Sequence, residues 1–327
     1  MVPRRKVVFR IISGLAICIL LVFIVFFAWT QTRRRQIEQT VREIEALYSN
    51  QRWKSPLNPS VRTPSWVNHP WIPAPATSPF RETFYGVQFA DLPIKDSELA
   101  PLAALPRVES ISMVRTKVNG SFLRTLRDPH ALVGLHLEGS PVTPDAWDIL
   151  PRFKNLRALI LTGVSVNDDV LALIGTLEQL VYLRLDGGQI SDAGLQHLEG
   201  LVKLKELSVS GESITNAATA SLSNLTLLTE LSLSRTSIDH EGLEFLTKMP
   251  GLKNLSLNDT NVDRRAVPSL SKLKQLRQLY IKGTKLSEEA ITQLSKSLPN
   301  CHIYWENGYI GPDRPDGIVR SGDVSEP

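Results

Sequence analysis

The chain has few of the residues that build disulfide frameworks, metal centres and nucleophilic sites. It contains two cysteines and six histidines in 327 residues. Cys18 lies in an apolar run near the N-terminus and Cys301 lies close to the C-terminus, so we expect no bridge between them. The lack of a disulfide framework does not fix the redox compartment, because a large domain can be stabilised by packing alone.

Excess positive charge is confined to the first 35 residues. The formal net charge is +4, but residues 1–35 carry seven lysines and arginines and no acid, which leaves about −3 for residues 36–327. A nucleic-acid-binding surface needs clustered basic residues. We therefore expect no nucleic-acid partner for the larger part of the chain.

One long apolar run is present, at residues 11–29, and it holds no charged residue. As a helix it is about 28 Å long, close to the thickness of a bilayer's hydrocarbon core. A cleaved secretory signal is the alternative, but its apolar core is usually about 7–15 residues long. The run predicts a single-pass anchor in the cell (inner) membrane. Basic residues flank both ends, and we expect residues 1–10 to stay cytoplasmic and the larger domain to be exported.

Two further segments precede the larger domain. Residues 30–54 show apolar residues at helical spacing and predict a juxtamembrane stalk helix. Residues 55–82 contain seven prolines, which favours an extended linker. The apolar Trp66 and Trp71 leave its role open between a cap on the following domain, a docking motif and a spacer across the cell wall.

Residues 83–299 repeat with a period of 24 residues. If the first leucine of a unit is position 1, positions 1, 4 and 6 are apolar in nine successive units, as in Leu180, Leu183 and Leu185. The alternation around positions 4 and 6 predicts a short strand. Position 12 carries residues that commonly cap helices, and acids follow where the helix dipole favours them. Each unit therefore predicts a strand, a turn and a short helix, with these capping residues: Asn119, Thr143, Asn167, Ser191, Thr215, Asp239, Asp263 and Ser287.

The pattern LxxLxLxxTxIxDxGLxxLxxLxx resembles leucine-rich repeats, in particular the 24-residue Thr-containing type abundant in planctomycete bacteria. Residues 298–305 resemble the way in which many of those domains end. The resemblance implies an α/β fold: a right-handed solenoid, or horseshoe, with a concave parallel sheet and short convex helices. It also implies protein–protein recognition and supplies no catalytic residue. Thr219 departs from the pattern, because it is polar at an inward position.

Two expectations concern polar positions and the C-terminus. Hydroxyls recur at position 9, and we expect them to bond the backbone of the neighbouring turn. The column is broken at Val164, Gly188 and Glu212, which predicts looser turns there. Residues 300–327 predict a C-terminal cap and then a tail that is mostly disordered from Glu306 onwards.

Positions 3, 5 and 7 of each unit form the predicted concave face. The most mixed group of polar and aromatic residues predicts a partner-binding patch, because tyrosine and arginine are common binding anchors. An ordinary solvated sheet face is the alternative. The patch comprises His136, Glu138, Tyr182, Arg184, Asp186, Glu206 and Glu230.

No chemistry beyond binding is predicted for this face. His136 and Glu138 share a strand, but no second histidine or cysteine converges on them, so we expect neither a metal site nor a catalytic group. No cofactor or small-molecule substrate is indicated. The sequence thus predicts a membrane-anchored, non-enzymatic scaffold that recognises a protein of unknown identity. The alternatives are a structural envelope protein that self-associates or contacts the cell wall, and an enzyme whose site the sequence does not show.

Overall fold

The computed structural model describes residues 86–312 in full, the backbone of residue 85 and of residues 314–320, and eight helical residues nearer the N-terminus, which are 32, 35, 36, 38–40, 42 and 43. The predicted segments 1–10, 11–29 and 55–82 lie outside the described residues, as does most of 30–54. Within the part of the chain that the structure describes, no helix is long and apolar enough to cross a membrane.

The solenoid is built on one twelve-stranded sheet whose strands lie side by side in chain order. Strands β1 to β10 are parallel, and β11 is antiparallel to both of its neighbours, β10 and β12. Residues 24 apart are register partners from β2 to β10, as for Leu159 and Leu183. The predicted nine strands are confirmed, with these bounds: β1 Tyr85–Ala90, β2 Val108–Val114, β3 Gly134–Glu138, β4 Ala158–Thr162, β5 Tyr182–Asp186, β6 Glu206–Val209, β7 Glu230–Ser232, β8 Asn254–Ser256 and β9 Gln278–Tyr280, followed by β10 His302–Trp305, β11 Gly308–Gly311 and β12 Arg314–Arg320.

A short helix follows most strands on the opposite side of the sheet. The first three units use 3-10 helices, at Asp96–Ala104, Ser121–Thr125, Pro129–Ala131 and Pro144–Arg152. Pro101 and Pro151 lie inside two of these helices, where the missing N–H prevents regular α-helical bonding. Later units use α-helices: α1 Asp168–Ile174, α2 Asp192–Gln196, α3 Asn216–Leu222, α4 Leu243–Leu246, α5 Val267–Leu270, preceded by a 3-10 turn at Arg264–Ala266, and α6 Glu288–Ser297.

The predicted helix caps are confirmed in most units. A side-chain oxygen accepts a hydrogen bond from a backbone N–H of the first helical turn at Asn167, Ser191, Thr215, Asp263 and Ser287. Thr143 makes no such bond, and its hydroxyl donates to the carbonyl of Asn119 at 3.4 Å instead. Capping satisfies amides that have no partner inside the helix.

At Asp168 and Asp192, the residue after the cap ties its unit to the next, a role beyond the predicted interaction with the helix dipole. The carboxylate of Asp168 accepts from the Ser191 backbone N–H at 2.9 Å and from its hydroxyl at 2.6 Å. Asp192 does the same for Thr215 at 2.7 and 2.6 Å. Gly194 packs directly against Asp168, so that a Cβ at this position would collide with the carboxylate. This ladder fixes the spacing of α1 and α2.

One continuous core runs between the sheet and the helices. Positions 1, 4 and 6 are buried in every described unit, for example at Leu156, Leu159 and Leu161. Thr219 is fully buried there too, but its hydroxyl donates to the Asn216 carbonyl at 2.7 Å. The polar departure from the repeat is therefore satisfied within its own helix.

The hydroxyls at position 9 mostly close their own turns, so the expectation of bonds to the neighbouring turn was wrong for three of the five. Thr236, Thr260 and Thr284 each donate to a carbonyl three residues earlier, at 2.6 to 2.7 Å. Thr116 and Ser140 instead join neighbouring units, through a hydroxyl pair at 2.9 Å. In these three units, the backbone carbonyl three residues before the threonine lies within hydrogen-bond distance and accepts from its hydroxyl. The looser turns expected at Val164, Gly188 and Glu212, where the hydroxyl column is broken, stay a prediction.

The predicted disorder after Glu306 was wrong for residues 308–312 and 314–320. Strand β11 pairs with β10, placing Ile310 opposite Ile303, and β12 pairs with β11. Ile310 and Trp305 are buried at this end of the core. The hairpin occupies the edge of the parallel sheet, which otherwise leaves a row of backbone groups without sheet partners. The composition of this segment, rich in Gly, Pro, Asp and Arg, gave no periodic signal from which the hairpin could be predicted.

Candidate functional site

A depression of about 280 Å³ lies on the sheet face opposite the helices, across β5 to β9. We call this face, formed by positions 3, 5 and 7, the open face. The floor of the depression is set by Ser208, Ser232 and Ser256, which occupy position 5 in three successive units between the larger Arg184 and Tyr280. Small side chains between large ones create the hollow. The rest of its lining comprises Tyr182, Leu183, Glu206, Leu207, Glu230, Leu231, Asn254, Leu255 and Gln278.

Tyr182 forms one end of the depression. Its ring packs on Ala158, beside Val133, and is partly buried. Burial raises the pKa of the Tyr182 phenol; Arg184 opposes this shift, and Glu206 acts in the same direction as burial. The phenol is therefore neutral at physiological pH and presents both a hydroxyl and an aromatic face.

Arg184 is held in place by an acid on its own strand. Its Nε donates to Oδ2 of Asp186 at 2.8 Å, and this bond raises the pKa of the guanidinium. The hydroxyl of Ser210 donates to the other carboxylate oxygen at 3.2 Å. The Arg184 side chain is still 49% exposed. Exposed ion pairs contribute little to stability, so the pair positions a guanidinium at the edge of the depression with its charge matched by Asp186.

Two glutamates stand side by side along the depression. Glu206 and Glu230 are register partners on β6 and β7. Glu206 is buried, with 7% of its surface exposed, whereas Glu230 is half-buried and accepts from the amide of Asn254 at 2.9 Å. The two carboxyl groups therefore lie side by side on the open face.

His136 and Glu138 lie outside this depression, on β3. His136 Nε2 is 3.3 Å from Glu138 Oε2, and His136 Nδ1 is 3.2 Å from the Ser112 hydroxyl. Burial lowers the pKa of His136, although Glu138 acts in the opposite direction. Glu138 also contacts the guanidinium of Arg115 at 3.3 Å. These groups form a separate polar cluster in the N-terminal part of the face.

The predicted patch is thus divided in two. Four of its members line the depression (Tyr182, Arg184, Glu206 and Glu230), and Asp186 binds one of them. His136 and Glu138 are separated from them by β4, where Ala158 and Ile160 are buried on the open face. The strand order could be inferred from the repeat. The burial of Ala158, which separates the two groups at β4, depends on how the Tyr182 ring packs on it.

An aromatic cluster at the far end of the depression was missed from sequence. The rings of Tyr280 and Tyr304 stack with centroids 4.8 Å apart and planes 11° apart, and Tyr309 lies 5.7 Å from Tyr304. His302 lies 6.3 Å from both Tyr304 and Tyr309. A signal was present, because Tyr304 follows Tyr280 by one repeat length. The predicted repeats end at residue 299, and the predicted column therefore stops at Tyr280.

Residues 141–303 match a protein family that is described as a leucine-rich repeat region. The chain contains a leucine-rich repeat domain. The match begins within the third unit, after strand β3, and includes the whole depression over β5 to β9.

Several solved leucine-rich repeat structures resemble the domain in fold. Internalin C2 of Listeria monocytogenes is 23% identical over 65% of this chain and 84% of that chain, with a TM-score of 0.48. A leucine-rich repeat protein of Leptospira interrogans is 22% identical over 63% of this chain and 56% of that chain, with a TM-score of 0.46. The ectodomain of the Arabidopsis receptor kinase HAESA is 17% identical over 64% and 40%, with a TM-score of 0.44. No curated protein sequence matches the chain.

The groups on the open face of the leucine-rich repeat domain suit recognition. Across the described residues, no three His, Cys, Asp or Glu side chains are grouped so as to hold a metal ion. Cys301 is buried, and burial raises the pKa of its thiol to about 12, which keeps it protonated. What the depression offers is two carboxylates, serine hydroxyls, a guanidinium and aromatic faces. These groups bind polar and charged side chains.

Proposed function

We propose that the protein is a non-enzymatic recognition scaffold that binds a protein partner through the depression over β5 to β9. The observation that carries the proposal is the hollow itself, in which Tyr182, Arg184 and Tyr280 stand around a floor of serines. Tyrosine and arginine are common anchors at protein interfaces, and anchors act best in concave, partly desolvated positions. Leucine-rich repeat domains are typically protein-binding scaffolds. The proposed contact set keeps Asp186, Glu206 and Glu230 from the predicted patch and adds Tyr280.

The proposal includes a single-pass anchor at residues 11–29 in the cell's inner membrane, with the leucine-rich repeat domain on the exported side. Its support is the nineteen-residue uncharged run and the short basic N-terminus. A reporter enzyme that is active only outside the cytoplasm, fused after residue 327, tests the orientation. We expect an active fusion. A fully expressed but inactive fusion contradicts the proposed orientation.

The repeats themselves are proposed to be of the 24-residue Thr-containing type found in planctomycete bacteria. The support is the regular hydroxyl at position 9, which closes its own turn at Thr236, Thr260 and Thr284. This detail concerns the architecture of each unit and leaves the choice of partner to the open face.

Affinity capture with the full-length chain from membranes of the source cell tests the recognition role. The double variant Tyr182→Ala/Arg184→Ala removes one aromatic and one arginine from the depression. Phe245→Ala/Arg264→Ala removes the same two residue types from the helix side and is the matched control. We expect the first variant to lose the specific partner and the control to keep it. Retention of every captured protein by the first variant contradicts the proposal. Concentration-dependent self-assembly of the purified chain supports the structural alternative.

A further inference from the structure

We propose that the depression binds an extended, positively charged segment of the partner and places a lysine or arginine side chain over Ser208 and Ser232, beside Glu206 and Glu230. This inference rests on the proposed function, because it names the chemistry of the partner that the leucine-rich repeat domain recognises.

The shape of the depression favours an extended chain. It crosses five strands, β5 to β9, which places its ends about 19 Å apart at the usual spacing of about 4.8 Å between strands. An extended chain of about six residues covers that distance. A helix is about 10–12 Å wide with its side chains, whereas the volume of about 280 Å³ is on the scale of a few side chains. The hollow therefore suits single side chains that project from an extended backbone.

The charge of the lining favours a cation. Arg184 is the one basic residue among the described residues that line the depression, and its guanidinium is bonded to Asp186 at 2.8 Å. Glu206 and Glu230 are neighbours in register, and the amide that contacts Glu230, from Asn254, is neutral. A cationic group beside Glu230 forms charge-assisted hydrogen bonds with its carboxylate, and the two described acids that line the depression, Glu206 and Glu230, outnumber its one basic residue.

The aromatic residues at the two ends favour the same occupant. Tyr182 is fixed against Ala158, and Tyr280 is fixed by stacking on Tyr304. Lysine and arginine groups are attracted to the faces of such rings. Burial raises the pKa of both the Tyr182 and the Tyr280 phenol, and Glu230 acts in the same direction on each. The negative potential of Glu230 therefore reaches both ends of the depression.

A synthetic peptide supplies a direct probe. A fluorescein-labelled eight-residue peptide of alternating arginine and serine is titrated into the full-length chain in detergent micelles, with fluorescence anisotropy as the readout. Its counterpart has citrulline in place of arginine, which keeps the shape and removes the charge. We expect the arginine peptide to bind at least about tenfold more tightly than the citrulline peptide.

Matched variants locate the binding. Glu206→Gln/Glu230→Gln removes two charges from the depression and is expected to weaken the arginine peptide about tenfold. Glu138→Gln/Glu241→Gln removes two charges elsewhere and is expected to change the affinity less than about twofold. Thermal melts followed by circular dichroism show that both variants are folded. Equal binding of the two peptides, or equal weakening by the two double variants, overturns the proposal.

The outcome is distinguishable from a failure of the proposed function. If the arginine peptide does not bind, but Tyr182→Ala/Arg184→Ala still releases a captured protein, the depression recognises a partner of other chemistry and only the basic-segment proposal falls. If the peptide does not bind and the captured proteins are unaffected by the Tyr182→Ala/Arg184→Ala variant, both proposals fall.

Discussion

The N-terminal and C-terminal halves of the leucine-rich repeat domain share one core and one repeat but differ in their open faces. Strands β1 to β4 are five to seven residues long, whereas β7 to β9 have three residues each. In the first half, some residues of the open face, such as Ser110 and Ala158, are fully buried. In the second half the open face opens into the depression. The same buried framework therefore supports a face that is partly covered in the first half and a depression in the second.

The difference lies in how each half uses its polar residues. In the first half, Arg115 contacts Asp91 at 2.5 Å and Glu138 at 3.3 Å, so charged groups on three neighbouring strands or turns satisfy one another. In the second half, serines replace large side chains at the centre, and Glu206 and Glu230 stand together. Charged groups of the first half are therefore paired with one another, whereas Glu206 and Glu230 of the second half line the depression.

The largest expected effect tests whether the core is truly shared. Leu159→Ala in β4 and Leu207→Ala in β6 each remove a buried side chain, and we expect each to lower the free energy of unfolding by about 2–5 kcal/mol. Val202→Ala is the control, because Val202 is 55% exposed and its truncation is expected to cost less than about 0.5 kcal/mol. Urea unfolding of the full-length chain measures all three. A cost below about 1 kcal/mol for only one leucine variant breaks the comparison.

The next effect concerns the ladder on the helix side, in which the Asp168 carboxylate of one unit accepts hydrogen bonds from the cap of the next. Gly194→Ala brings a methyl group against the Asp168 carboxylate, and we expect a loss of about 1–3 kcal/mol. Gly200→Ala is the matched control, since a Cβ at that position meets no atom within 4 Å. Combining Gly194→Ala with Asp168→Ala removes the collision, so the double variant should cost less than the sum of the two single ones. Strict additivity argues against direct contact in the ladder.

The repeat explains why so much of the fold could be predicted and why the site could be predicted only in part. Register, core and caps follow from residues 24 apart, because each unit contacts its neighbours at equivalent positions. The division of the predicted patch depends on Tyr182 packing over Ala158, which is a contact that the repeat pattern does not specify. The C-terminal hairpin lies beyond the last unit, where periodicity no longer carries information, whereas the stacking of Tyr304 on Tyr280 continues the 24-residue spacing past residue 299.

The smallest expected effect is a response to mild acid in the first half of the domain. The pKa of His136 is lowered by burial from its ordinary value of 6.5, so the unfolded chain takes up the proton more readily. The contribution of His136 to stability is full above about pH 6.5 and is lost as the pH falls towards the lowered pKa. We expect His136→Gln to show a smaller fall in melting temperature than the parent chain when the pH is lowered from about 7.5 to about 5.5. Identical falls in the two proteins show that His136 does not contribute.

Oxidative footprinting of tyrosine side chains tests most directly whether the second half of the face is the binding surface. The full-length chain is exposed to hydroxyl radicals with and without its captured partner, and oxidation is located by mass spectrometry. We expect the partner to protect Tyr182 and Tyr280, which stand at the two ends of the depression, and to leave Phe245 on the helix side unchanged. Unchanged oxidation of both tyrosines in the presence of bound partner contradicts the account.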